Sequence, residues 1–158
     1  MKIALSKSEL EICHYIGMKR YYTTSRACKE QIQSDKNPLE IVIDGVIGEY
    51  CVARCLNLHF SLDTDLRNWG ADLFTNKGLQ IDVKTTRLVG GNLVATLTSD
   101  KKNFDVYILC ELMEDGCDVV GWINRDDFLT PKNIRDGKKG KYYFISKDNL
   151  TTDFERLK

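Results

Sequence analysis

Leu79-Gln80-Ile81-Asp82-Val83-Lys84 alternates apolar and polar residues one for one. In a strand, Gln80, Asp82 and Lys84 therefore share one face and the aliphatic residues the other. Just before it, Asn76-Lys77-Gly78 suits a three-residue hairpin loop, a type I turn closed by a glycine in the left-handed conformation. With Thr75 opposite Leu79, counting outward sets Asp72 across from Asp82, two carboxylates side by side on one face. Like charges so placed destabilise a sheet by up to about 1 kcal/mol, more when desolvated, and call for a counter-ion or a proton. A hard divalent cation fits, because Mg²⁺ keeps several waters and takes one or two protein carboxylates plus phosphate oxygens. Mn²⁺ accepts the same oxygen donors.

The elements that must position these groups can be read on either side. Ser6 and Ser8, each followed three residues later by Glu9 and Glu11, mark a helix start. Leu10, Cys13, His14, Gly17, Met18 and Tyr21 then recur at helical steps toward Lys29. Asn37-Pro38 breaks this element, and a second helix is predicted from Glu40 to Asn57. Val46, Ile47, Tyr50 and Ala53 form its apolar stripe, and Glu49 falls on the edge of that stripe, near Leu56. From Ala71 the period becomes two, predicting strands over 71–75, 79–87, 92–98, 105–112 and 118–123. Short helices are predicted over 125–129 and 148–157, with a lysine-rich loop at 135–141 between them. The order is α+β: one mixed sheet of about five strands flanked by helices on each side. Residues 1–36 form a helical part, 40–124 the core and 125–158 an extension of one domain.

Composition narrows the function. The 158 residues are 42% hydrophobic and 29% charged, as in an ordinary globular domain with one sizeable core. Lysine plus arginine balances aspartate plus glutamate at 23 each, so nucleic-acid contact must be local rather than driven by a global positive field. No apolar run approaches the roughly 20 residues of a membrane span. The cysteines at 13, 28, 51, 55, 110 and 117 include no Cys-x-x-Cys pair, and the first ten residues carry three charges. This reads as a reducing, cytoplasmic setting with cysteines serving as small buried hydrophobes. A thiol-based metal or redox centre would instead require them to cluster in space, and Cys51 with Cys55 is the local hint of it.

Gly48-Glu49, then Asp72, then Ile81-Asp82-Val83-Lys84-Thr85-Thr86 together resemble the PD-(D/E)XK nuclease superfamily, over about residues 40–122. Ala71 stands where that family often has proline. The resemblance implies a restriction-endonuclease-like α/β/α core and Mg²⁺-dependent hydrolysis of phosphodiester bonds in DNA, with endo- and exonuclease action both open. It implies that Asp72 and Asp82 hold the metal, with the Val83 backbone carbonyl as a third ligand. Glu49 would serve a second ion or hold a water. Lys84 would orient or deprotonate the attacking water, or neutralise charge in the transition state. A non-catalytic nucleic-acid- or protein-binding module on the same fold is the alternative.

Gln80, Thr86 and Arg87 are further candidates for contact with a ligand carboxylate or phosphate backbone. The basic run from Lys132 to Lys141 and the first-helix cations Lys19, Arg20, Arg26 and Lys29 suit either phosphate contact or a solvated surface. His14 and His59 lack partners at metal-ligand spacing. Trp69 and Trp122 suit the core, Trp69 also base stacking. A homodimer and a recruiting protein are compatible partners. For Asp82 and Lys84 the plain alternative is a solvated charge pattern on an antiparallel sheet.

Overall fold

A computed structural model describes residues 1–27, 37–65, 70–138 and 140–158. Strand β1 (Lys2–Ala4) leads into helix α1 (Lys7–Ala27). At its start, the Glu9 amide donates to Ser6 Oγ (3.3 Å) and the Ser6 amide to the Glu9 carboxylate (2.7 Å), the reciprocal cap expected from their spacing. Its buried face is Cys13, Ile16, Gly17 and Arg20, whereas His14 and Met18 are exposed. The predicted stripe was thus rotated. Ile12 and Tyr15 lie outside at 48% and 55% exposure, so apolar residues surround the helix and do not fix its phase. Lys29 and Cys28 lie outside the described residues, as does the Arg26 side chain.

Helix α2 (Pro38–Leu56) begins where Asn37 accepts the Leu39 amide through its side chain, with proline in the first turn. It ends at Asn57 in the left-handed conformation. Strands β2 (Leu73–Phe74), β3 (Gln80–Thr86) and β4 (Leu93–Thr96) follow, then β5 (Val106–Met113) and β6 (Gly116–Asn124). The one-turn helix α3 (Arg125–Phe128) precedes β7 (Ile134–Gly137) and β8 (Gly140–Ile145). The main sheet runs β1-β6-β5-β3-β2 and is mixed, since β3 and β5 are parallel and the other neighbours antiparallel. The fold is α+β, as the change of period predicts.

Each face of the sheet has its own core. Ile81, Val83, Val106, Ile108 and Cys110 face the helices and bury against Val46, Val52 and Leu56. Tyr107, Leu109 and Ile123 face the other way and meet Leu93, Ala95, Phe128 and Tyr143. That second layer is α3 together with a three-stranded sheet, β4-β8-β7. The expected lysine-rich loop is therefore the β7–β8 hairpin. The alternating Tyr142-Tyr143-Phe144-Ile145, with Tyr143 buried and its neighbours half-buried, carries the strand signal that the flanking lysines obscured. The expected C-terminal helix is two short 3-10 turns, Lys147–Asn149 and Phe154–Leu157. Among the described residues, no helix is long and apolar enough to cross a membrane.

Candidate functional site

Gly78 closes the β2–β3 hairpin at φ 82°, and the Thr75 amide donates to the Leu79 carbonyl at 3.0 Å. Leu73 pairs with Ile81 and Phe74 with Gln80, the register counted from the turn. Beyond Leu73 the ladder slips by one residue, because the Asp72 amide donates to the Ile81 carbonyl at 3.0 Å, so Asp72 is not the cross-strand partner of Asp82 that counting from the turn predicts. The Asp72 carboxylate then curls back and accepts the Val83 amide at 2.8 Å. A side chain thus takes the place of the strand where β2 stops. The N–H and C=O of one strand residue point to the same side, so the Val83 carbonyl faces this open edge too.

Asp82 and Lys84 share the face of β3 that looks toward Tyr107 and Leu109, their register partners on β5. Asp82 is 4% exposed and ion-paired with Lys84, whose ammonium also stands 6.0 Å from the centre of the Tyr107 ring. Burial, and then the Asp82 charge, raises the Tyr107 hydroxyl above its ordinary pKa. Asp72 is displaced most clearly. Desolvation first, then the charges of Glu49 and Asp82, push its carboxyl up to about 7, against the opposing pull of the Val83 amide and Lys84. The charges of two carboxylates, Glu49 and Asp82, thus bear on a third, Asp72, at the end of β2.

Glu49 reaches this place from α2 because Gly48 lets the helix lie against β3. A Cβ at Gly48 would fall on the Thr85 hydroxyl. Glu49 does not face the edge alone, since Arg20 of α1 donates to its Oε2 at 2.8 Å. The two side chains are 12% and 9% exposed. The same guanidinium donates to the Ser61 carbonyl (2.9 Å) and the Asp63 carbonyl (3.1 Å), in the segment leading to Asp72. Arg20, read from the sequence only as one of several surface cations, thus belongs to the site. Its position four residues after Ile16 and seven after Cys13 is the signal that could have shown it.

The remaining candidates lie elsewhere or are otherwise engaged. Arg87 turns to α2 and holds Asp44 through two contacts (2.6 and 2.8 Å), with Glu40 at 3.3 Å. The Thr86 hydroxyl accepts the Leu88 amide at 3.1 Å and shapes the turn after β3. The Gln80 amide donates to the Asp105 carboxylate (2.7 Å) and its carbonyl accepts the Asp105 amide (2.9 Å), and Gln80 lines a separate cleft with Asn103 and Arg125. His14 lines a pocket beside Arg87, and His59 a cleft of about 330 Å³ that ends on Asp72. Trp122 is buried and donates to the Asp153 carbonyl at 3.0 Å, whereas Trp69 lies outside the described residues. Cys51, Cys110 and Cys117 are fully buried close to one another, and the neighbouring thiols together with burial raise the pKa values of Cys51 and Cys117. They gather in the core in protonated form, as packing residues do.

Among the described residues, no group of three or more His, Cys, Asp or Glu side chains stands ready to hold a metal. The oxygen donors here are instead the Asp72 carboxylate and the Val83 backbone oxygen at the edge and, on the adjoining face of β3, the Asp82 carboxylate paired with Lys84. That donor set fits a hard cation that keeps most of its water. Compared with models of known protein families the chain matches none, and no curated protein matches it.

Proposed function

We propose that this protein is a Mg²⁺-dependent nuclease that hydrolyses phosphodiester bonds in DNA at the edge of β3. One observation carries the reading: the charges of Glu49 and Asp82 bear on the buried Asp72 carboxylate, and Lys84 is ion-paired with Asp82, at the end of β2 where Asp72 itself bonds the Val83 amide. Asp72 and Asp82, with the Val83 carbonyl, would hold Mg²⁺, which supplies positive charge at the scissile phosphate and acidifies water. Asp72 must release its proton to act as a ligand, and near neutral pH that release is finely balanced. Lys84 is held over the site by Asp82 and Tyr107, placed to turn its ammonium to a phosphate oxygen or to the attacking water. Arg20 holds Glu49 beside them in an ion pair at 2.8 Å. The five described cysteines are all free and buried, in keeping with the reducing cytoplasm.

A second reading has its own support. Lys84 neutralises Asp82 and Arg20 neutralises Glu49 from within the chain, so a non-catalytic module that binds nucleic acid or a protein on this scaffold would also be charge-balanced. Incubating the protein with supercoiled, linear and single-stranded DNA and with RNA, in Mg²⁺, Mn²⁺ or chelator, separates the two. Cleavage that needs the metal and vanishes in Asp82→Asn and Lys84→Ala is expected. Cleavage that survives both substitutions removes the site. Binding without cleavage under every condition selects the second reading.

A further inference from the structure

The β4-β8-β7 sheet has an inner face built into the core and an outer face with a different character. Ala95, Tyr143 and Ile134 are register partners on the inner face, and Ala95 and Tyr143 are at most 7% exposed. The alternate pairs, Val94 with Phe144 and Thr96 and Arg135 with Tyr142, therefore point outward. Val94 is 46% exposed, Thr96 and Arg135 are exposed, and both aromatic rings are half-buried. The Arg135 guanidinium stands 6.0 Å from the centre of the Phe144 ring. This face adjoins an open cleft of about 490 Å³ lined by Thr96, Ser99, Lys102, Tyr142 and, from the main sheet, Lys84.

We infer that this outer face binds single-stranded DNA, stacking unpaired bases on Tyr142 and Phe144 and leading the strand through the cleft to Lys84. The inference rests on the nuclease reading and specifies its substrate. Three kinds of group coincide here. Aromatic rings on adjacent positions of one strand face meet the planar surfaces of bases, in a manner tolerant of sequence. Lys84 and Lys102 of the cleft and Arg135 of the outer face supply cations that complement a phosphate backbone, against Asp136 at the hairpin end and Asp100, next to Ser99 in sequence. The hydroxyls of Thr96 and Ser99 at the cleft wall offer bonds to phosphate oxygens. A duplex keeps its bases stacked within the helix and cannot present them to Tyr142 and Phe144. The balanced charge of the chain, 23 of each sign, leaves binding to this local combination.

The test measures binding without metal, in chelator and on an Asp82→Asn background, by fluorescence anisotropy of a labelled oligothymidylate of about 12 nucleotides, a length within the range such sites cover. A duplex of equal length serves as comparison, and thermal unfolding confirms that each variant is folded. The single strand is expected to bind more tightly than the duplex. Tyr142→Leu and Phe144→Leu should each weaken it by about five- to hundredfold, the range for loss of one stacked base, while Tyr142→Phe keeps wild-type affinity. Duplex binding as tight as single-strand binding, or folded leucine variants that bind like the parent, overturns the inference. In metal-bearing assays, loss of cleavage with this binding pattern intact overturns the nuclease reading alone, whereas cleavage unaffected by both leucine substitutions overturns this surface alone.

Discussion

The carboxylate of Asp72 accepts the backbone amide of Val83 at 2.8 Å, so a side chain completes the edge of β3 that β2 leaves uncovered. The group that would bind a cation is thereby tied to the strand that carries Asp82. The tie also brings Asp72 under the charges of Glu49 and Asp82, and together with burial this raises its proton affinity.

A pH dependence follows. Asp72 titrates at about 7 in the folded chain against an ordinary 3.8. Its contribution to the stability of the metal-free protein is complete below about 3.8 and is lost as pH climbs through about 7. Mg²⁺ competes with that proton, so the rise in Tm on adding Mg²⁺ should be larger above pH 7 than below it. Asp72→Asn should remove the difference. Calorimetry giving the same Mg²⁺ effect on both sides of pH 7 refutes the carboxylate as the metal's partner.

The Arg20–Glu49 pair should behave as a buried ion pair. Arg20→Met removes the ion pair with Glu49 and frees the Ser61 and Asp63 carbonyls, with an expected loss of about 3–5 kcal/mol in urea unfolding. Glu49→Gln should recover part of that loss in the double variant, because the charge that Arg20 balanced is gone as well. Losses that simply add would show that the two side chains do not depend on each other.

The hairpin was legible because its information is local. Gly78 dictates the turn, the turn dictates the register, and alternation assigns the faces of Asp82 and Lys84. The slip at Asp72 was not legible, since it depends on where β2 ends and not on any residue type within it. Arg20 was hidden for a related reason. A cation on an apolar stripe looks like a flaw in the pattern until its acceptors, Glu49, Ser61 and Asp63, arrive from other parts of the chain. The second sheet was missed because lysines and glycines from 137 to 141 resemble a loop, and the pairing of β8 with β4 spans about fifty residues of sequence.

Gly48 sets the distance between α2 and β3. Gly48→Ala would drive a methyl group into the Thr85 hydroxyl, with an expected cost of about 1–3 kcal/mol for overpacking. Thr85→Ala in the same chain should recover part of that cost. The Thr85 hydroxyl is itself buried without a hydrogen-bond partner among the described residues, so Thr85→Val alone should be neutral or stabilising. Denaturant midpoints for the four chains check both statements, and a Gly48→Ala protein as stable as wild type would show that α2 can retreat from the strand.

Lys84 separates metal binding from chemistry. In the folded chain its ammonium neutralises the buried Asp82, so it competes with a cation for that carboxylate. Lys84→Met removes the competitor and leaves Asp82 without a counter-charge. Its metal-free form should be less stable than wild type, and Mg²⁺ should bind it more tightly, recovering the stability in proportion. Cleavage should nevertheless fall by about a hundredfold or more, as when a group aimed at developing charge is lost. Isothermal titration with Mg²⁺ beside a cleavage assay reads both effects from one preparation. Weaker Mg²⁺ binding in Lys84→Met would mean that the lysine supports the metal rather than competing with it, and the arrangement of Asp82 as ligand would have to be abandoned.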